Sequence, residues 1–426
     1  MIHLGRILLL GLLLALGACA DDPRELREQR TALVRQAYTD GEEIHLGAVW
    51  PGGDSSAFLA GATLAAEEVN AAGGISGRML RLTTVDETPF LEKYRVDRTQ
   101  AEGRYRDAMQ EAGTAMAKAL LQDPKVATVI GHSDTGQTTL SAMSIYDNRG
   151  VVLMSAGTSD ELVKWMDSEL YFQLLPSDKL MVKELVGAIN DQHWDTVHLV
   201  FANSRHNEQL AELIKSELAN NKITLTGTTS LLDDIVKGQS APRRLRNSLG
   251  ELRSGNIDAV ILLAPPEVGA QIIRYSRSLG IAQPFIGTMA LDSPDFVRNV
   301  LDAGEDTIVA SIYRDNAYQA RRFAEKLRAR FPDQVADKWA ALGYDSVRFY
   351  AQAVACAGTT DPVVVAHALN FKLPLWMGLV GHYAFRPGVA ENGAMRVHGK
   401  ILRRQGDGSF KFVFIEKPAA DETLSQ

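Results

Sequence analysis

Cysteine is almost missing: the 426 residues hold two, Cys19 and Cys356. The two lie far apart and form no Cys-x-x-Cys pair, and no His-Glu-x-x-His or comparable ligand spacing occurs among the nine histidines, so no structural metal is expected. Blocks of basic residues are absent too, and the net charge is −7, which speaks against a surface that tracks nucleic-acid phosphates. The chain has neither a Gly-x-x-x-x-Gly-Lys-Ser/Thr loop nor a Gly-x-Gly-x-x-Gly turn after a strand, so nothing in it asks for a nucleotide or another cofactor. Past the first residues no apolar run reaches the roughly 20 residues that a membrane-crossing helix needs.

The N-terminus does carry one short apolar run. Arg6 precedes Ile7 to Leu16, and Leu16-Gly17-Ala18-Cys19 follows, the order of an export leader with small residues at its cleavage site. Leu-Gly-Ala-Cys looks like a bacterial lipobox, which makes Cys19 the lipidated first residue of the mature chain and leaves Cys356 without a disulfide partner. Stability then has to come from apolar burial. With 46% hydrophobic and 23% charged residues, the chain suffices for about two domains of ordinary size.

From residue 20 to 43 the sequence is charged and helix-compatible but poor in large apolar residues, and it reads as a mobile tether between lipid and domain. Strand-like and helix-like segments then alternate, as they do in parallel sheets covered by helices on both faces. Strands are expected over 44–49, 79–85, 126–130, 151–155, 196–201, 223–226 and 258–264, most of them rich in Val, Ile and Leu as doubly buried strands are. Phe58, Ala62, Ala65, Ala66 and Val69 recur at helical spacing after a serine cap, and Gly73-Gly74 stops that helix. A second helix over 317–331 aligns Phe323, Leu327 and Phe331 on one side, with interleaved arginines as its solvated face. Residues 91–121 read as one extended helix, straight or kinked. No repeat of solenoid period occurs, so two similar α/β lobes are the simplest architecture.

Four stretches resemble the type I periplasmic solute-binding proteins that serve ABC importers, a family that includes the branched-chain amino-acid receptors. Gly47-Ala48-Val49-Trp50-Pro51, Gly61-Ala62-Thr63-Leu64-Ala65 and the run from Glu68 to Arg78 resemble the family's first strand, first helix and glycine turn. Val129-Ile130-Gly131-His132 and Val152 to Ser159 are similar to its paired binding turns, and Thr196 to Val200 to the start of its second lobe. Ala341 to Val347, Asp361-Pro362 and Gly381 to Phe385 resemble its closing segments.

The resemblance implies two doubly wound parallel-sheet lobes joined by three crossovers near Leu174, Arg314 and Leu373. The expected parts are a leader over 1–18, a tether over 19–43, one lobe from 44–173 with 315–372, another from 174–314 with 373–416, and a tail over 417–426. It implies a monomer that closes by hinge motion over a small-molecule ligand and hands it to a membrane permease.

Each binding turn follows a strand and opens a helix, so unpaired N–H groups and the helix dipole favour an anion there, though ordinary helix capping uses the same chemistry. By resemblance, Thr135, Gly136, Gln137, Ala156, Gly157 and Thr158 hold a ligand carboxylate, Ala156 through its backbone. Trp50 and Asp54, after the first strand, are candidates for the wall of the cleft. His206-Asn207 stands where amino-acid receptors have Tyr-Gly, and Phe285-Ile286-Gly287 leads to Asp292 as the acid for a ligand's ammonium. Both departures argue against an ordinary α-amino acid as ligand. A sensor or adaptor of the same fold is the alternative. A hydrolase is the more distant one: Gly131-His132-Ser133-Asp134-Thr135 lacks the closing glycine of a nucleophile elbow.

Overall fold

The computed structural model describes residues 22–94, 102–133, 137–159, 168–231, 241–253, 256–389 and 391–415. The first sheet contains β1 (Ile44–Trp50), β2 (Leu80–Asp86), β3 (Val126–Gly131), β4 (Val152–Ser155) and β5 (Tyr171–Gln173) in the order β2-β1-β3-β4-β5, all parallel. The second is built from β6 (Thr196–Ala202), β7 (Thr224–Leu231), β8 (Ala259–Leu263), β9 (Phe285–Gly287) and β10 (Ile308–Ser311), with β13 (His398–Arg404) and β14 (Phe410–Phe414) added antiparallel at one edge. Its parallel part runs β7-β6-β8-β9-β10, the order of the first sheet over again. In such a sheet the strand order reverses beside the first strand, and a crevice opens at the carboxyl ends there: between β1 and β3 in one lobe, between β6 and β8 in the other. A two-residue hairpin, β11 (Trp376–Met377) with β12 (His382–Tyr383), stands apart from both.

Strands buried along their whole length fill the sheet centres, among them β1, β3, β4 and β8. The helix Ala57–Ala71 lies so close to the helix Lys338–Ala357 that a Cβ on Gly61 would meet the Ala340 carbonyl at 1.9 Å, and one on Gly343 the Phe58 carbonyl at 2.1 Å. Only glycine permits that approach. Asp345, buried in the same long helix, accepts the N–H groups of Leu379 and Val380 at 2.8 Å and the hydroxyl of Tyr383 at 3.2 Å, which ties down the β11–β12 hairpin. The helix Tyr318–Arg330 buries Phe323 and Leu327, and its Lys326 and Arg330 reach Glu68 and Glu67 rather than standing in solvent alone.

Three expectations need correction. Where a tether was expected, Pro23–Thr39 is a helix capped by Asp22 and docked on the first lobe: it buries Val34 and Ala37, Arg30 donates to the carbonyls of Asp123 and Val126, and Arg35 pairs with Asp361. Its contacts come from arginines, Val34, Ala37 and the half-buried Tyr38, so a segment with few large apolar residues is docked all the same. The helix expected over 91–121 is described as two, Thr88–Lys93, which packs Phe90 and Leu91 on the core, and Glu102–Leu120, which buries Met109, Ala112, Met116, Ala117 and Leu120. The third crossing falls not near Leu373 but at about 395–398, since Leu373, Val380, Tyr383, Phe385 and Met395 all belong to the first lobe's core and the second sheet begins again at His398.

Candidate functional site

The turn after β3 is set by backbone geometry. Gly131 has φ +109°, and a Cβ there would strike the Val49 carbonyl at 2.2 Å, so the strand tip presses against β1 as no other residue could. His132, at φ +58°, donates its N–H to Val49, and its ring bonds the Tyr146 hydroxyl at 2.9 Å. Burial pushes that imidazole down to about 3, so it is neutral, and raises the Tyr146 phenol. Ser133 gives its N–H to one oxygen of Glu87 at 2.9 Å and its hydroxyl to the other at 2.7 Å. The serine is thus held by a carboxylate and the histidine by a tyrosine, which is not the Ser–His pair of a nucleophile elbow. Thr135 and Gly136 lie outside the described residues, and Gln137 begins the helix Gln137–Asn148.

Beside it, the turn after β4 bonds its first two amides internally. Ala156 N–H donates to the Gly131 carbonyl at 3.3 Å and Gly157 N–H to Ser155 Oγ at 2.9 Å. Thr158 is 6% exposed, and its carbonyl accepts the N–H of Asp178, the first residue of a helix capped by Ser177. Asp178 in turn has Oδ2 3.5 Å from Nδ1 of His206, in the first turn of the helix Arg205–Asn220 after β6. Thr158 and His206, read from separate stretches, therefore meet through Asp178 where the lobes adjoin. That residue was missed; its signal was Ser177-Asp178, a cap followed by a first-turn acid just after the first crossover.

Asp292 is already occupied: its carboxylate accepts the Ser311 hydroxyl at 2.6 Å and Lys400 Nζ at 3.2 Å, while Lys338 donates to its carbonyl. The built-in ammonium of Lys400 takes the place expected for a ligand's. Desolvation lowers the Lys338 ammonium and raises the neighbouring Asp337 carboxyl. Trp50 is 7% exposed, stacked on Phe58 with ring centres 4.2 Å apart and tilted against Trp339, so its indole faces protein and not a cleft. Asp54 is exposed beside it in a single 3₁₀ turn. Tyr383 is buried on Phe349. A cavity of about 640 Å³ lies away from the strand tips, between the helix Asp178–Asp191 and β9, β10 and β13, with Ala188, Ile286, Val309 and Met395 in its wall. Among the described residues no cluster of metal-binding side chains occurs, and no helix is long and apolar enough to cross a membrane.

The family described as periplasmic binding protein matches residues 107–402. The chain belongs to that family. Its fold is the type I form of these binding proteins, which are not enzymes and whose members are extracytoplasmic. An ABC transporter substrate-binding protein of Desulfitobacterium hafniense, solved in complex with Leu, is 24% identical, with a TM-score of 0.70 over 87% of this chain and 100% of that one. The branched-chain amino acid transporter substrate-binding protein LivJ of Streptococcus pneumoniae, with isoleucine, is 19% identical, with a TM-score of 0.68 over 88% of this chain and 100% of its own. A solute-binding protein of R. palustris in complex with benzoate is 15% identical, with a TM-score of 0.66 over 87% and 96%. Among curated proteins, an amino acid binding protein of Pseudomonas aeruginosa is 22% identical over 327 residues, 74% of this chain and 77% of that protein.

Proposed function

We propose that this periplasmic binding protein is a lipid-anchored, monomeric receptor that captures a small polar ligand bearing a carboxylate or an amide between its lobes and delivers it to an ABC importer. The observation that supports the reading is the convergence of Thr158, Asp178 and His206, contributed by the strand-tip turn of one sheet and the first helices serving the other, at the seam between the lobes. Thr135, Gly136 and Gln137 complete the proposed contact set from the neighbouring turn. The test is to release and identify by mass spectrometry the small molecule that co-purifies with the protein, then return it to stripped protein. Ligand at 100 times its Kd adds about 2.7 kcal/mol of stability, and no thermal shift with the returned molecule or a broad metabolite panel defeats the receptor reading. In that case the chain serves as a sensor or adaptor, a reading favoured by the internal pairing of Ser133 with Glu87 and of Asp292 with Lys400.

A further inference from the structure

We propose that the cavity between the helix Asp178–Asp191 and the edge of the second sheet is a second ligand site, apart from the cleft, and that it takes a small anion with an apolar body: a carboxylate on an alkyl chain or an aromatic ring. The site stands independently of the receptor reading. Its volume of about 640 Å³ lies within the range of small-molecule pockets. The wall is drawn from beside all three crossings between the lobes: Leu180 and Glu184 follow the first, Arg314 stands at the second, and Met395 to His398 make the third. Ile286, Val309 and Met395 give it an apolar lining, and on the helix wall Ala188 contributes only a methyl group.

The polar part of the lining is cationic around Phe414. The Arg314 guanidinium lies over that ring at 5.1 Å, and the His398 ring meets it edge-on at 6.2 Å. Desolvation first, and then the charges of Arg314, Arg396 and Lys400, hold the His398 imidazole below its ordinary value, so it is neutral and the field about it is that of cations. Glu184 and Asp191, on the helix wall, are not among the charges that act on it. Lys400 is answered by Asp292 at 3.2 Å, and Asp315, next to Arg314 in the chain, is taken by Lys411 at 3.3 Å. Neither Arg314 nor Arg396 has an ion-pair partner among the described residues, which leaves two guanidiniums for an anion. Each can grip a carboxylate through paired N–H groups, and the neutral imidazole adds one more donor. A hydrated inorganic anion would leave Ile286, Val309 and Met395 facing water, so the molecule that fits brings an apolar body with its charge.

The test uses the purified protein and matched probes read by titration calorimetry: octanoate against octanamide, phenylacetate against phenylacetamide, and inorganic phosphate as the anion without an apolar body. At least one carboxylate is expected to bind, tenfold or more tighter than its amide and than phosphate. Arg314→Gln combined with Arg396→Gln, at two exposed positions, is expected to weaken that carboxylate tenfold or more, and Ala188→Trp, which fills the cavity, to abolish its binding. Should the tryptophan variant not fold, the arginine pair decides alone. Binding that the arginine pair leaves unchanged overturns the second site, and a loss on Thr158→Val in its place puts the probe in the cleft. No binding of either carboxylate, or equal binding of acid and amide, overturns the site as well and leaves the receptor reading where it stood.

Discussion

The backbone N–H of Asp178 donates to the carbonyl of Thr158 across 2.9 Å, joining the turn after β4 in the first lobe to the first helix of the second. That bond places the Thr158 side chain at the seam without engaging it in helix capping, since Ser177 caps the helix itself. Replacing the hydroxyl by a methyl leaves this backbone bond alone.

Thr158→Val is accordingly expected to weaken the co-purified ligand about tenfold, the value of one hydrogen bond, with little change in melting temperature. Titration calorimetry on stripped protein reads it. Unchanged affinity removes Thr158 from the site.

Gly131→Ala is expected to destabilise the fold by about 2 kcal/mol or more, because an L side chain is strained at φ +109° and its Cβ would overlap the Val49 carbonyl. Denaturant unfolding measures it, and a loss below about 0.5 kcal/mol would mean that β1 and β3 part easily at their tips.

Asp345 makes a pH prediction. Burial raises its carboxyl to about 7, against the hydrogen bonds from Leu379, Val380 and Tyr383 that pull it down. The folded state therefore holds a proton that the unfolded state has released between about pH 4 and pH 7, so this group's contribution to stability is greatest below that window and declines as the pH rises through it, by a few kcal/mol in order of magnitude. Asp345→Asn cannot titrate, and the wild-type-minus-variant stability difference should slope downward over that window. A flat difference would show that Asp345 is ionised throughout.

Cys19→Ser is expected to move the protein from the membrane fraction to the soluble fraction of cells, as follows if this cysteine carries the lipid. Persistent membrane association would discredit the anchor.

The parallel strands were legible because doubly buried strands read as near-continuous apolar runs, as Ala-Val-Ile-Leu-Leu does in β8 and Val-Leu-Met in β4, with β1 and β3 mostly apolar as well. Glycine was legible where backbone meets backbone: Gly61, Gly131 and Gly343 all stood in the motifs that carried the family likeness. The docked helix Pro23–Thr39 was not, because arginines reaching carbonyls leave no periodic apolar pattern. Nor were Glu87 and Asp178. An acid after a strand looks the same in sequence whether it meets water, a ligand or its own chain.

Local pattern alone, then, determined the alternation of strand and helix, the two-lobe class and the turns at which β3 and β4 end, since these depend on burial period and on residues adjacent in sequence. Which polar groups at those turns remain for a ligand was decided only when distant segments met: Glu87 beneath Ser133, Lys400 against Asp292, Asp178 between Thr158 and His206. Hydrogen-bond capacity is finite, and no single segment records where its partners lie.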